Sequence, residues 1–483
     1  MKILWVDDEI ETLRPHIIFL ESEGIEVDPV DHPYEALRKL REGIYDIVFL
    51  DYRMPQLNGV EVLKEIKSKY PNLPVVLVTM VQDRDVMESA ISRDVFDYLV
   101  KPVQPTQILA VIKKLEIQKI KSRKKGERVV DYYRRINSIF PSWEGWLERG
   151  RLFFQWKIEE PKDELLKEEL KEKNTEFAKW IIDKYPELIQ DANVPFTFNI
   201  LKKKIFPHLK RGEKVILLIF DNFRFDQAIL LSKTIPTRYR VELTPYYSII
   251  PTATQYARNS IFSGVIPHTA ENRHPGWLQD NLHEREFLQE QLFENGLSHI
   301  KFWVGKINRL DELRNQSFNL RYDLNVYVIN FLDMVSHLKK EVEPLEGLIK
   351  EEEDYINLTQ FILDEAKLFE KIKGDLVFIT TDHGWVKGER ASVIQGGLEV
   401  SEGLRFKFGD SLRILEGDGF IIRDLGKYGL PRRARMLLVA KNYDFFVYKT
   451  SPQKFKRRYE SGLYHGGISI EEMVIPFVTL KGG

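Results

Sequence analysis

Two sets of residues in this sequence have the types and order that phosphate chemistry needs. In the first hundred residues, Asp7 and Asp8 follow the apolar run KILWV, Asp51 ends IVFL, Thr79 closes another apolar run, and Lys101 stands in LVKP after a fourth. The three carboxylates Asp7, Asp8 and Asp51 are hard oxygen ligands suited to Mg²⁺, which takes one or two carboxylates together with phosphate. With a cation held by its neighbours, Asp51 can accept a phosphoryl group, because its charge and that of the incoming group are neutralised. Thr79 and Lys101 add a hydroxyl and an ammonium, both able to contact phosphoryl oxygens.

The second set lies after residue 210. Asp221 follows KVILLIF, and Thr252 and Thr254 follow YYSII in IPTATQYARNSIFSG. Asp333 and His337 stand at i and i+4 in NFLDMVSH, a spacing that puts both on one face of a helical turn. Asp382 and His383 precede Gly384 after DLVFITT, and His465 lies in LYHGGISIEE. Any one of them alone could cap a helix or be a buried polar group with its partners. Together they divide into two ligand sets: Asp333, His337 and His465 for one ion, and Asp221, Asp382, His383 and Thr254 for another. Mixed nitrogen and oxygen ligation of this kind suits zinc, with manganese as the competitor. Two such ions about 4 Å apart can clamp the attacking and leaving oxygens of an in-line displacement at phosphorus, and Thr254, a weak nucleophile at neutral pH, gains from a neighbouring cation.

The elements that must position these groups can be read from the apolar pattern. Residues 1 to 118 alternate short β-rich runs with amphipathic stretches, with helices expected from Tyr34, Gly59 and Asp83, which predicts a doubly wound parallel α/β sheet with the acids at the carboxyl ends of its strands. From Lys113 to Arg128 the composition turns basic, with Lys119, Lys121, Arg123, Lys124 and Lys125, and helical pattern then runs to about residue 208. Within it, DELLKEELKEKNTEFAKWIIDKY carries Leu165, Leu166, Leu170, Phe177 and Ile181 at helical spacing, so a helical bundle or spacer over 119–208 is expected. Residues 209–483 return to β runs separated by helical stretches, a second and larger α/β domain.

Composition narrows the function classes. The 483 residues, 43% hydrophobic, suffice for several domains. Lys and Arg number 72 against 73 for Asp and Glu, so no global charge draws the chain to nucleic acid or an anionic membrane, and any such partner must be met by a local patch. There is no cysteine, which excludes disulfides, thiolate nucleophiles and Cys-type zinc sites. Acidic residues stand where a signal peptide's apolar core would continue, and no membrane-spanning run is present, so a soluble, bacterial, cytoplasmic protein is expected.

The motifs VDDE, DYRMPQLNG, VTM and DYLVKP, in that order over residues 1–118, resemble the receiver domain of two-component response regulators. The resemblance implies phosphorylation of Asp51 by a histidine kinase with Mg²⁺ at Asp7, Asp8 and Asp51. Repositioning of Thr79 and Tyr98 beside Lys101 and a changed homodimer interface are then expected. The motifs DNFRFDQ, PTATQYARNSIFSG, FLDMVSH, TTDHG and YHGGIS, over about 210–483, resemble the PglZ branch of the alkaline-phosphatase superfamily, whose fold the C-terminal domain should share. Superfamily members with a threonine nucleophile are typically nucleotide phosphodiesterases; the sulfatases use a modified Cys or Ser in another motif. Of the family's phosphate-holding asparagine, Asn272 is the nearest candidate and Asn281 a weaker one, and the arginine that clamps monoesters is not assigned, since Arg258 lies one helical turn past Thr254. The lack of that clamp and of a recognisable third metal site favours a diester substrate, which carries one charge fewer.

A receiver, a helical spacer and a PglZ domain in one chain resemble PorX-type response regulators, the family linked to type IX secretion. The combined expectation is a phosphorylation-controlled, two-zinc phosphodiesterase acting on nucleotide-type diesters, including cyclic or linear oligonucleotides. A sigma factor or secretion-system component is among the partners considered. The rival from another class is a metal-stabilised signalling scaffold without significant catalysis. No duplex DNA-binding module is expected, because nothing after residue 118 reads as a terminal helix-turn-helix.

Overall fold

The computed structural model describes residues 1–483 except 56, 58, 81–94, 280, 331, 334–350, 397–402, 451 and 483, and, within one long helix, the side chains of 117 and 120–123. The helix expected from Asp83 and the ligand candidate His337 lie outside the described residues. The chain forms two compact units, Met1–Glu127 and Arg128–Gly483.

In the first unit, β1 (Lys2–Val6), β2 (Glu26–Val30), β3 (Ile47–Asp51), β4 (Val75–Thr79) and β5 (Asp97–Val100) form a parallel sheet in the order β2-β1-β3-β4-β5. Alternate residues of one strand point to opposite faces. Accordingly Ile3 and Trp5 join a core with Leu20, Ile108 and Ile112, while Leu4 and Val6 join another with Leu40, Val62 and Ile66. Both faces are covered by helices, so the strands read as unbroken apolar runs rather than alternating ones. Gly59 opens the helix Gly59–Lys69 so close to β3 that a Cβ there would collide with the Asp51 carbonyl.

In the second unit, β6 (Val215–Phe220), β7 (Tyr239–Tyr247), β8 (Phe302–Ile307), β9 (Leu324–Ile329), β10 (Leu376–Thr381) and β11 (Val474–Gly482) form a sheet in the order β7-β11-β10-β6-β9-β8. Strands β8, β9, β6 and β10 are mutually parallel, and β11 runs antiparallel to both β10 and β7. Strand β6 repeats the logic of β1: Val215, Leu217 and Ile219 face one core, and Ile216, Leu218 and Phe220 the other. Two small three-stranded sheets, built between Arg390 and Tyr448, precede β11.

The stretch expected as a helical spacer is helical, and from Arg128 onward it belongs to the same compact unit as the large sheet. Trp146, Phe153, Phe154 and Trp156 of helix Trp143–Glu159, and Phe177 and Ile181 of helix Glu164–Leu188, share one core with Val215, Leu217 and Ile219. An aromatic set this large needs a partner surface, and the sheet supplies it. Asn174, also on the second helix, is fully buried: its Nδ2 donates to Glu471 Oε2 (2.8 Å) and its Oδ1 accepts from Ile470 N (2.7 Å). These helices therefore brace the segment that leads into β11. Among the described residues, no helix is long and apolar enough to cross a membrane.

Candidate functional site

At the receiver-like edge, Asp7 directly follows β1 and Asp51 ends β3, neighbouring strands whose carboxyl ends flank the crevice where open α/β sheets bind ligands. Asp7 and Asp51 are buried and Asp8 is exposed, and one oxygen from each lies within 4.8 Å of the others. Lys101 Nζ reaches both buried acids, 3.0 Å from Asp7 Oδ2 and 2.8 Å from Asp51 Oδ2. Burial raises the Asp51 carboxyl above its ordinary range, with the Asp7 charge adding to it and the Lys101 hydrogen bond opposing it. Burial would lower the Lys101 ammonium, but hydrogen bonds to Asp51 and Asp7 outweigh it and the net shift is upward. Thr79 ends β4 and is buried; Tyr98 lies in β5 and is 43% exposed. Asp7, Asp8, Asp51, Thr79 and Lys101 thus collect at the carboxyl ends of the strands, with Tyr98 two residues short of the end of β5.

The larger sheet assembles its set in the same way. Asp221 follows β6, Asp382 and His383 follow β10, and Asp333 lies beyond β9, all at the carboxyl ends of parallel strands. Asp221, Asp382 and His383 are buried, with ligand atoms within 4.8 Å of one another. Thr254 is the first residue of helix Thr254–Ser263, and the residue in the N-cap position is Ala253, which makes no capping hydrogen bond. The Thr254 hydroxyl is therefore not spent on a cap. It lies 2.9 Å from His383 Nε2 and 3.4 Å from Asp221 Oδ1, at the positive end of the helix dipole. Thr252, by contrast, is structural: its hydroxyl donates to Gly467 O and accepts from Gly466 N.

His465 stacks on His383 with ring centroids 4.0 Å apart. His383 Nδ1 faces Gly384 O at 3.2 Å and His465 Nδ1 faces Thr252 O at 3.0 Å, so in each ring the tautomer that donates to the carbonyl carries its lone pair on Nε2, the form that binds a metal. Burial lowers both imidazoles, His465 to about 4 with the His383 ring adding to the effect, which keeps them neutral as metal ligation requires. Burial pushes Asp221 up to about 6 against the opposing charge of Arg258, and burial also raises Asp382. Asp382 Oδ2 is buried without a hydrogen bond among the described residues. A buried carboxylate oxygen in that state, beside two neutral imidazoles and a second carboxylate, fits a divalent cation. Asp333 accepts from Asn222 Nδ2 at 3.1 Å, and Asn222 adopts the left-handed conformation (φ 62°) directly after Asp221, which links the two acids.

The structure differs from the sequence-based expectation at two residues. Arg258, which the sequence leaves unassigned, is buried in the site: its guanidinium ion-pairs with Asp221, lies 3.4 Å from Asp382 Oδ2 through Nε, and donates to Asn330 Oδ1 at 2.8 Å through Nη1. The signal is present in the sequence, since i and i+4 on one helix share a face. Asn272, the phosphate-holding candidate, does not join the group; it is exposed on helix Pro267–Arg273 and bonds His268. The weaker candidate Asn281 instead accepts from Asn259 Nδ2 (3.0 Å) on the Thr254 helix. A Cβ on Gly384 would collide with the Glu471 carbonyl, which explains the glycine after His383. The basic run at 119–125 is partly used within the first unit, where Lys119 pairs with Asp46 at 2.6 Å.

A parallel sheet whose carboxyl edge gathers three carboxylates and a lysine, followed in the chain by a second sheet whose edge gathers carboxylates, imidazoles and a helix-terminal threonine, is the arrangement of a response-regulator receiver domain with an alkaline-phosphatase-like domain. Comparison with known families agrees. The family model for the BREX system PglZ alkaline phosphatase-like domain matches residues 200–480, more than half of the chain, and the chain belongs to that family. The response regulator receiver domain model matches residues 3–113. Similar curated proteins match through the first unit. The alginate biosynthesis transcriptional regulatory protein AlgB of Pseudomonas putida is 37% identical over 123 residues, 25% of this chain and 28% of that protein. The cyclic di-GMP phosphodiesterase response regulator RpfG of Xanthomonas campestris is 31% identical over 114 residues, 23% of this chain and 30% of that protein. The chain therefore spans less than a third of the length of either. A receiver domain protein from Clostridium thermocellum is 34% identical, covering 24% of this chain and 95% of its own, with a TM-score of 0.24. TrrA from Thermotoga maritima, solved with Mg²⁺ and BeF, is also 34% identical, covering 24% and 97%, with a TM-score of 0.22.

Proposed function

We propose that the chain is a response regulator in which phosphorylation of Asp51 by a histidine kinase controls a two-zinc phosphodiesterase acting on nucleotide-type diesters. The observation that carries this reading is the uncapped Thr254 hydroxyl, 2.9 Å from His383 Nε2 and beside Asp221. In the first ligand set, Asp221, Asp382, His383 and Thr254 hold one ion; Asp333 and His465, with His337 from outside the described residues, hold the other. When bound, the two zinc ions supply Lewis acidity and neutralise charge at phosphorus. The chain's own residues do the rest. Thr254 Oγ1 attacks phosphorus in line and gives up its proton, the leaving alkoxide departs from the opposite side and takes up a proton, and water hydrolyses the remaining threonine-linked phosphate ester, which releases a monoester and restores the hydroxyl. The helix N-terminus favours the negative charge that develops there. In the receiver, Asp7, Asp8 and Asp51 hold Mg²⁺, and Thr79 and Tyr98 report the phosphoryl group that Lys101 contacts.

A diester remains the favoured substrate although Arg258 is in the site. Its guanidinium is committed to Asp221, Asp382 and Asn330, so it neutralises protein carboxylates instead of offering a two-toothed fork to a monoester dianion. Phosphorylation promotes a homodimer that alters access to the site or presents a surface to a partner. The pairing of the two domains supports a PorX-type role in type IX secretion, with a sigma factor or secretion component as partner, and the chemistry supports cytoplasmic nucleotide substrates.

The test is zinc content followed by hydrolysis of bis-p-nitrophenyl phosphate and p-nitrophenyl phosphate by wild type, Thr254→Val and Asp382→Ala, with and without acetyl phosphate. About two zinc ions per chain, diester turnover abolished by both substitutions, and weaker monoester turnover are expected. Metal binding without cleavage of either ester would overturn the hydrolase in favour of a scaffold, and a dimer indifferent to a phosphoryl mimic would overturn the switch.

A further inference from the structure

The helix Pro452–Tyr459 has the sequence PQKFKRRY and buries none of its residues. It carries Lys454, Lys456, Arg457 and Arg458 and no acid, in a chain whose overall charge is −1. Lys454, Arg457 and Arg458 are exposed and make no ion pair among the described residues, and Lys456 lies 3.6 Å from Glu416. Its apolar face is occupied internally. Phe455 and Tyr459 stack on each other at i and i+4 and pack on the cluster of Val393, Phe445, Val447 and Tyr464. A basic helix with a free apolar face would suit a membrane surface, but here only the cationic face is outward.

This helix is tied to the ligand segment. Tyr464 Oη donates to Tyr459 O at 2.6 Å, Tyr464 pairs in a short ladder with Val386, and the next residue is His465, stacked on His383. The side chain of Tyr464, the residue before the proposed metal ligand His465, thus holds the C-terminal end of the cationic helix. The metal edge itself can read one phosphate. A longer substrate strand leaves that edge with further phosphates, each needing a counter-charge.

The geometry points to the helix Pro452–Tyr459 as a backbone-binding surface for a single-stranded oligonucleotide whose scissile phosphate sits at Thr254, an inference that rests on the phosphodiesterase reading for the identity of its occupant. Lys454, Arg457 and Arg458 contact flanking phosphates without reading bases, so the surface selects length rather than sequence.

The test uses the full-length, zinc-loaded chain carrying Thr254→Val, with and without the exposed triple substitution Lys454→Ala, Arg457→Ala and Arg458→Ala. Fluorescence anisotropy of labelled dT12 is followed from low to high salt. The triple variant should bind dT12 at least about tenfold more weakly, with the slope of log affinity against log salt reduced by about 2, as expected when three fewer single-strand phosphates are neutralised. In the Thr254-containing background it should cleave bis-p-nitrophenyl phosphate at the wild-type rate. Unchanged dT12 affinity overturns the proposal, and so does polyglutamate binding as tightly and losing as much, which would make the surface one for acidic protein. Because binding is read without cleavage, a catalytically silent chain that still loses dT12 affinity in the triple variant would retain the surface while the phosphodiesterase reading fails.

Discussion

The two sheet edges solve one electrostatic problem with different finality. Each collects carboxylates at the carboxyl ends of parallel strands and sets one cationic side chain among them: Lys101 between Asp7 and Asp51, Arg258 between Asp221 and Asp382. At the first edge, Asp8 is exposed and the neutralising group is a flexible, partly exposed ammonium. At the second, every member of the Asp221, Asp382 and His383 group is buried and the cation is a buried guanidinium. An open site with a movable ammonium suits a phosphoryl group that arrives and leaves; a closed one suits ions that stay.

The sharpest way to test the second half of that contrast is Thr254→Val, which removes one oxygen and keeps the volume. Diester turnover should fall by roughly 10³-fold or more while zinc is largely retained through Asp221, Asp382 and His383, measured on the same preparation. Next in size is Glu472→Ala. Glu472 is fully buried, bridges Arg405 and caps Ser469 and Gly467, so it orders the segment between His465 and β11. Leaving Arg405 unpaired should cost about 3–5 kcal/mol in denaturant unfolding, and zinc content should drop with it. Arg258→Ala should destabilise the metal-free chain more than the zinc-loaded one in parallel thermal melts, because a divalent cation can replace the lost guanidinium. Equal losses would mean that Arg258 serves packing alone.

At the first edge, Asp51→Asn should abolish the response to acetyl phosphate and leave the unstimulated diester rate in place. The smallest effect concerns pH. Burial raises Asp221 to about 6, so in the metal-free fold its protonated form is favoured: the cost of ionising it is absent at low pH and is felt as pH rises through about 6. Zinc relieves that cost, so the gain in melting temperature on adding zinc should grow across the same interval.

The parallel strands were legible because both of their faces are buried, and their terminal acids stood out against uninterrupted apolar runs. That is why Asp7, Asp51, Asp221 and Asp382 could be placed from sequence. Strand β8 carries no comparable signal, since FWVGKI lies on a sheet edge and is mostly half-exposed, without the unbroken apolar character of β6. Asn272 and Asn281 could not be ranked because their places depend on loop paths, which leave no periodic trace. The helix Glu164–Leu188 showed its apolar stripe, yet its anchoring residue is polar: Asn174 is buried because Glu471 and Ile470 meet it, and both lie nearly 300 positions away in sequence.

The placement of β11 sets an order of events during synthesis. It is inserted between β7 and β10, so residues from 474 onward must reach a slot bounded by strands that begin at residues 239 and 376. A ribosome releases the receiver-like sheet, whose partners all lie within its own first hundred residues, long before that slot can close. A partly made chain can therefore carry a complete receiver-like sheet while the larger sheet is still open.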